Sequence, residues 1–236
     1  MVLFSEDYMS NQGVATYQQI QDELPVSSNS RQNNYAVCVT SYIINALAPE
    51  QRRDNDWEVT VFDNEQANAF ALPGGKMGVF TGLLEVAANQ HQLAAVMAHE
   101  VGHVLARHSN ERASQTALRN IGIAAAQQAG VSDSTLQLID FGANLGFFLP
   151  FNRTQESEAD EVGIMLMARA GFDPQESINL WNNMAAASGD RPPEFMSTHP
   201  SPSTRISDLK RLLPEAESLW LAARNQGRLP DCIAPD

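Results

Sequence analysis

The sequence predicts a mainly helical α+β fold with one small sheet near its front. Three observations carry this prediction. Trp57-Glu58-Val59-Thr60-Val61-Phe62 largely alternates apolar and polar residues, as a half-buried strand does. Two short apolar runs, 69–72 and 77–80, flank Pro73-Gly74-Gly75, which supplies the preset φ and the left-handed positions of a tight reversal. Beyond Thr81, apolar residues recur mostly at helical spacing.

Taken in order, an N-terminal helical stretch is followed by a polar loop over 25–34, and residues 35–47 fit a helix despite their β-branched members. After the strands, a short helix is expected over 83–88 and a longer one over 92–108. Residues 113–145, rich in Ala, Gly and Gln, read as helices with small side chains. A helix over 156–170 is stopped by Gly171 and Pro174, and another runs over 174–187. Asp190-Arg191-Pro192-Pro193 opens a loop that ends where Ser201-Pro202 starts a last helix, with Ser as N-cap. No internal repeat is visible.

Of 236 residues, 43% are hydrophobic and 18% charged, the mix of a globular chain rather than a disordered or fibrous one. A net charge of −13 repels phosphate backbones and anionic headgroups, so nucleic-acid and peripheral membrane binding are not expected. No run approaches the roughly 18–20 apolar residues of a membrane span. The N-terminus, Met1-Val2-Leu3-Phe4-Ser5-Glu6-Asp7, is acidic and does not read as a signal peptide. Cys38 and Cys232 have no CxxC partner and are poor zinc candidates. They are either two unrelated thiols or a disulfide closing a very long loop, which would imply an oxidising compartment.

The chemistry concentrates in two segments. His99-Glu100-Val101-Gly102-His103 is an H-E-x-x-H motif inside an otherwise apolar helix. Residues four apart share a helix face, so His99 and His103 can reach one ion, and zinc suits imidazole nitrogen. Glu100 sits about 100° further round, beside the ion rather than on it, placed to take a proton from water. Burying three ionisable groups costs several kcal/mol unless a cation pairs them. Gly102, unfavourable mid-helix by about 1 kcal/mol, implies a close approach by another element.

A third ligand is needed. Ala106 and Ser109 stand where the metzincin pattern has Gly and His, and His108 lies about 140° off the metal face of a continuous helix. The remaining option is a carboxylate on a separate helix. Glu156, Ala159, Asp160 and Gly163 fall on one stripe, while Glu158 and Glu161 fall off it. That stripe offers Glu156 as ligand, two small residues for a close neighbour, and Asp160 to accept the free ring N–H of a ligand histidine. The plain alternative is a solvated acidic helix start.

Together these segments resemble the HtpX and CaaX-prenyl-protease family of zinc metallopeptidases, gluzincins, and most closely its soluble bacterial branch of BepA-like and Oma-like periplasmic proteases. Asn68-Ala69-Phe70-Ala71-Leu72-Pro73-Gly74-Gly75 resembles the segment before that branch's zinc helix. Arg169-Ala170-Gly171-Phe172-Asp173-Pro174 and Thr198-His199-Pro200-Ser201 extend the similarity to about residue 213. The resemblance implies a zincin-like core and one Zn2+ per chain held by His99, His103 and Glu156. Glu100 matches the family's general base and Asp160 its supporting carboxylate. His199 matches a histidine near the metal, which hydrogen-bonds the oxyanion or, in some members, fills the open metal position and holds the enzyme latent. Arg205 is a weaker candidate for anchoring that loop or a substrate carbonyl, against a plain surface salt bridge.

The expected protein is one metallopeptidase domain over 1–236, with an N-terminal helical segment at 1–50, a catalytic core at 51–213 and a tail at 214–236. Its expected activity is zinc-dependent hydrolysis of peptide bonds in protein or peptide substrates, in envelope protein quality control. Asn68, Ala69, Phe70 and Ala71 are expected to form a sheet edge along the cleft, where an extended substrate adds as a strand. The resemblance also implies a periplasmic location and envelope protein partners, with an export signal or membrane anchor outside this sequence. The rival is a catalytically silent zinc protein acting as a chaperone-like scaffold. A purely structural zinc is disfavoured, since such sites usually close with Cys or a fourth residue.

Overall fold

Ser5 accepts a hydrogen bond from the Tyr8 N–H, and Glu6 and Asp7 sit in the first turn it opens, so the chain starts helix α1 at Glu6–Glu23. The computed structural model describes residues 2–128, 150–187, 193–200 and 204–235, the side chains of 120–128 and 187 excepted. The polar segment expected as a loop over 25–34 divides in two. Ser27 N–H donates to Val61 O and Asp63 N–H to Pro25 O, laying its first half along a strand edge. Asn29 then caps the N–H groups of Arg31 and Gln32, and helix α2 begins at once, Ser30–Asn45. A short α3, Pro49–Arg53, leads to the sheet.

The strands are β1 (Glu58–Phe62), β2 (Ala69–Leu72) and β3 (Lys76–Phe80), in the order β1-β3-β2. β2 and β3 are antiparallel, β1 and β3 parallel. With Pro73 at the second position of a type II turn, Gly74 takes the positive φ the third position requires, 87°, and Gly75 N–H returns to Leu72 O; Gly75 follows with a φ of 82°. One face of β2, with Ala69 and Ala71, joins the main core; the other, with Phe70 and Leu72, joins Phe62 and Phe80 beneath Tyr17 and Ile20 of α1.

The remaining helices are α4 (Thr81–Val86), α5 (Gln90–Leu105), α6 (His108–Gln128), α7 (Arg153–Arg169), α8 (Gln175–Ala187), α9 (Glu194–Thr198) and α10 (Arg205–Asn225). Two differ from expectation. The helix expected over 92–108 stops at Leu105, and His108 starts a new one after Arg107, whose φ is 59°. A short α9 interrupts the loop before His199. The last helix is described from Arg205, with Thr204 before it in helical backbone and making no side-chain cap; the expected start at Ser201-Pro202 and the loop residues 190–192 lie outside the described residues. Of the helices expected over 113–145, α6 covers the part to Gln128 and the rest lies outside them.

α5 runs through the middle of the core and packs chiefly on α7, which packs in turn on α10. The contact is close because both sides are small. A Cβ on Gly163 would lie 3.0 Å from the backbone of His99, and one on Gly102 would lie 3.1 Å from Ala159 O. The tail folds back, with Gln90 donating to Pro230 O and accepting from Cys232 N–H. Cys38 and Cys232 form a disulfide across 194 residues, joining α2 to the tail. Among the described residues no helix is long and apolar enough to cross a membrane.

Two buried tyrosines give the fold an alkaline limit. Tyr17 hydrogen-bonds Thr60 at 2.6 Å, whereas the Tyr35 hydroxyl is buried with no hydrogen-bond partner. Burial pushes both up to about 12. The unfolded chain ionises these phenols near pH 10 and the folded chain only near 12, so stability falls as pH rises through that window. The expected result is a melting temperature that declines steeply between pH 10 and 12, less so in Tyr35→Phe, which costs little at neutral pH because its hydroxyl is unpaired. An unchanged decline in that variant would count against the account.

Candidate metal centre

Helix α5 presents His99, Glu100 and His103 to α7, which enters the site at its first turn. Asn152 caps α7 by accepting from Thr154 and Gln155 N–H, and Gln155 reaches back to Asn152 N–H. That cap puts Glu156 in the first turn, directly against α5. The Nε2 atoms of His99 and His103 lie 3.0 Å apart. Glu156 spans both, with Oε2 3.5 Å from His99 Nε2 and Oε1 3.4 Å from His103 Nε2. His199, at the C-terminal end of α9, brings its ring into the same cluster, and all four donor atoms lie within 4.8 Å of one another.

The outer atoms of these rings are also engaged. His99 Nδ1 lies 2.9 Å from Asp160 Oδ1, and His103 Nδ1 lies 2.8 Å from His108 Nδ1. Arg205, only 1% exposed, donates from Nε to Asp160 Oδ2 at 2.6 Å and from its terminal nitrogen to Glu156 Oε2, while stacking on Trp181. It is therefore no surface salt bridge: it anchors both carboxylates of the α7 stripe. Phe151 stacks on His103 at 3.7 Å, with Arg112 on its far face at 3.6 Å, and Phe195 stacks on His199 at 4.2 Å. Aromatic walls on this scale exclude water.

Glu100 stands beside the cluster. Its Oε2 accepts from Ala71 N–H at 3.1 Å, while Oε1 is buried without a hydrogen bond, 3.2 Å from His199 Nε2. Burial raises its carboxyl to about 8 and lowers His199 to about 3. Burial also holds His103 well below the ordinary histidine value. In His99, hydrogen bonds to Asp160 and Glu156 outweigh burial and raise it to about 10. Burial pushes the Glu156 carboxyl up, but the His103 and His99 rings against it win and lower it.

The donor set fits a tetrahedral cation. Two imidazoles tethered at Nδ1 turn Nε2 inward, and Glu156 Oε1 and His199 Nε2 are buried without hydrogen bonds. Ligands at about 2.0–2.1 Å from a tetrahedral zinc lie about 3.3 Å apart, which matches the 3.0–3.5 Å found here. Zinc is the borderline metal such N/O sets suit.

The four residues from Asn68 to Ala71 lie where the sheet meets α5. β2 is an edge strand, and Ala71 N–H leaves the sheet toward Glu100 rather than toward β3. The Ala69 N–H is turned to the Asn68 side chain, and the Phe70 ring packs in the smaller core under α1. The Ala67 carbonyl, just before β2, accepts from Phe195 N–H, which ties α9 to the chain entering this edge. Spacing alone missed Phe151, Phe195, Trp181 and Arg112, which approach from other elements and share no motif with the ligands. It also placed His108 off the metal face, because no Gly or Pro marks the break at Arg107.

The profile of peptidase family M48 matches residues 29–213. The mitochondrial metalloendopeptidase OMA1 of Schizosaccharomyces pombe is 42% identical over 173 residues, 72% of this chain and 51% of that protein. Its namesake in Arabidopsis thaliana is 32% identical over 221 residues, 94% of this chain and 43% of that protein. The beta-barrel assembly-enhancing protease of Escherichia coli K12 is 36% identical over 163 residues, 64% of this chain and 33% of that protein. The chain thus spans about half, or less, of the length of these curated relatives. These are the kinds of protease that the sequence resembles, and the match covers both the histidine helix and the carboxylate helix. The chain belongs to peptidase family M48.

Proposed function

We propose that this chain is a zinc-dependent endopeptidase that hydrolyses peptide bonds of protein substrates, with residues 1–236 acting as one unit and His99, His103 and Glu156 holding one zinc. The observation that carries this reading is the convergence of two Nε2 atoms and one carboxylate on a single point, with Glu100 beside it. Zinc, when bound, supplies Lewis acidity to a water and to a carbonyl oxygen. The chain supplies the rest. Glu100 Oε1, with no hydrogen bond, takes the proton of the attacking water and delivers it to the leaving amine, while Ala71 N–H holds Oε2 in place. Asp160 and Arg205 keep His99 and Glu156 oriented. The edge of β2 from Asn68 to Ala71 lies beside Glu100 and offers main-chain groups to an extended peptide.

The test is direct. Purified protein is expected to carry about one zinc per chain and to cleave casein; a chelator should abolish cleavage, and added zinc should restore it. Cleavage that survives complete metal removal would reject the reading.

We assign His199 the developing oxyanion, because its Nε2 lies among the donor atoms without a hydrogen bond. His199→Ala is expected to lower kcat by roughly 10²-fold with little change in KM. A rise in activity would instead make His199 a cap on the site. The rival reading of a catalytically silent protein has no observation in its favour.

The compartment we propose is the periplasm and the role envelope protein quality control. The Cys38–Cys232 disulfide and the likeness to proteases named for β-barrel assembly support this. Cell fractionation of the native protein, with alkylation of its thiols, tests it: a cytosolic, reduced chain would refute the location.

A further inference from the structure

The two imidazoles that meet at their Nε2 atoms turn their Nδ1 atoms to different kinds of partner. His99 faces the carboxylate of Asp160. His103 faces another imidazole, His108, whose Nε2 lies 3.2 Å from Glu158 Oε2. His108 is 1% exposed, whereas the Glu158 side chain is largely open to solvent. Three side chains therefore form a line from the surface to the cluster.

That line has a direction. A carboxylate only accepts, so His108 donates from Nε2 to Glu158. A neutral His108 with its proton on Nε2 presents a lone pair at Nδ1. The 2.8 Å contact between two Nδ1 atoms holds one proton, so His103 donates it. His103 is then left with a bare Nε2, aimed at His99 and Glu156. The opposite tautomer of His108 would turn a lone pair toward the carboxylate and leave the proton of His103 on the inward nitrogen.

The backbone is bent to make this contact. On a continuous helix His108 would lie about 140° round from His103, out of reach. The helix breaks instead, and Arg107 is the only non-glycine with positive φ among the described residues. Strain of that kind needs a local reason. Here it turns His108 back under His103 and lets α6 start with its ring in the site.

We propose that His108 and Glu158 are a positioning pair for His103: Glu158 selects the tautomer of His108, and His108 holds the His103 ring with Nε2 free for the cation. The proposal rests on the reading of His103 as a ligand and adds two residues to it. Neither touches substrate.

The test is zinc affinity of the full chain, measured by chelator competition, with thermal unfolding of each variant without zinc alongside. His108→Leu is expected to weaken zinc binding by roughly 10–100-fold, the usual effect of losing a ligand's outer partner. His108→Asn should recover most of that loss, because its amide oxygen replaces the Nδ1 acceptor. Glu158→Ala should lose affinity by up to about tenfold and Glu158→Gln less, since an exposed partner contributes less and an amide oxygen still accepts. Should His108→Leu fail to fold, the surface Glu158 pair and 15N shifts of His108 in the unaltered chain remain; a proton on Nδ1 rather than Nε2 overturns the proposal. Equal losses in His108→Leu and His108→Asn would reduce His108 to packing and also overturn it. Unchanged affinity in both the His108 and Glu158 variants, with His103→Ala impaired, removes the positioning pair and keeps the ligand. Unchanged affinity in His103→Ala removes the ligand reading itself.

Discussion

Replacing Glu100 with Gln is expected to lower casein cleavage by roughly 10²–10⁴-fold while zinc content stays unchanged. The substitution keeps volume and keeps an oxygen to accept from Ala71 N–H, so the helix and the β2 edge are undisturbed. What it removes is a proton carrier. Burial already raises this carboxyl to about 8, so it holds a proton readily once it has taken one. Gln can do neither step, at the attacking water or at the leaving amine. The loss should fall on kcat, because Gln still accepts from Ala71 N–H and leaves the sheet edge as it is. The check is steady-state cleavage together with metal analysis of the same preparation. Cleavage retained at the unaltered rate would reject Glu100 as the base.

The second large effect belongs to Glu156. Glu156→Ala is expected to weaken zinc binding by roughly 10³-fold, about 4 kcal/mol, taking a third of the roughly 10–16 kcal/mol that zinc supplies to a structural site. Glu158→Ala, two residues away, should lose no more than about tenfold, since it acts only through His108. Glu156 is fully buried between the two histidines on one side and Arg205 on the other. Removing it leaves Arg205 with Asp160 alone, so the variant should also melt earlier even without zinc. Chelator competition on both variants decides the matter: equal losses would overturn the choice of ligand. The contrast is informative because both residues carry the same charge on the same helix turn.

The parts of this protein that periodicity encodes were legible from the chain. Val59 and Val61 alternate with polar neighbours and form β1, and Pro73-Gly74-Gly75 turns β2 into β3 as its φ values require. Helical phase alone grouped Glu156, Ala159, Asp160 and Gly163. The structure puts that stripe against His99 and Gly102, with the small residues at the contact. Boundaries set by a single cap were harder to read. Asn29 starts α2 inside a polar run, by accepting from the N–H groups of Arg31 and Gln32.

What the sequence determined by itself is how the polar groups are phased along two helices: two histidines four apart on one face, a glutamate one residue on beside them, and a carboxylate stripe matched to them. Only the tertiary structure decided what meets that face from elsewhere. It paired Cys38 with Cys232, set Arg205 beneath both carboxylates, brought His199 to the donor atoms and turned His108 back under His103. The physical reason is that a repeat of 3.6 residues constrains neighbours along one helix and is silent about chain direction after it ends. At Arg107 one backbone angle of 59° redirects everything that follows, and no spacing of residue types records it.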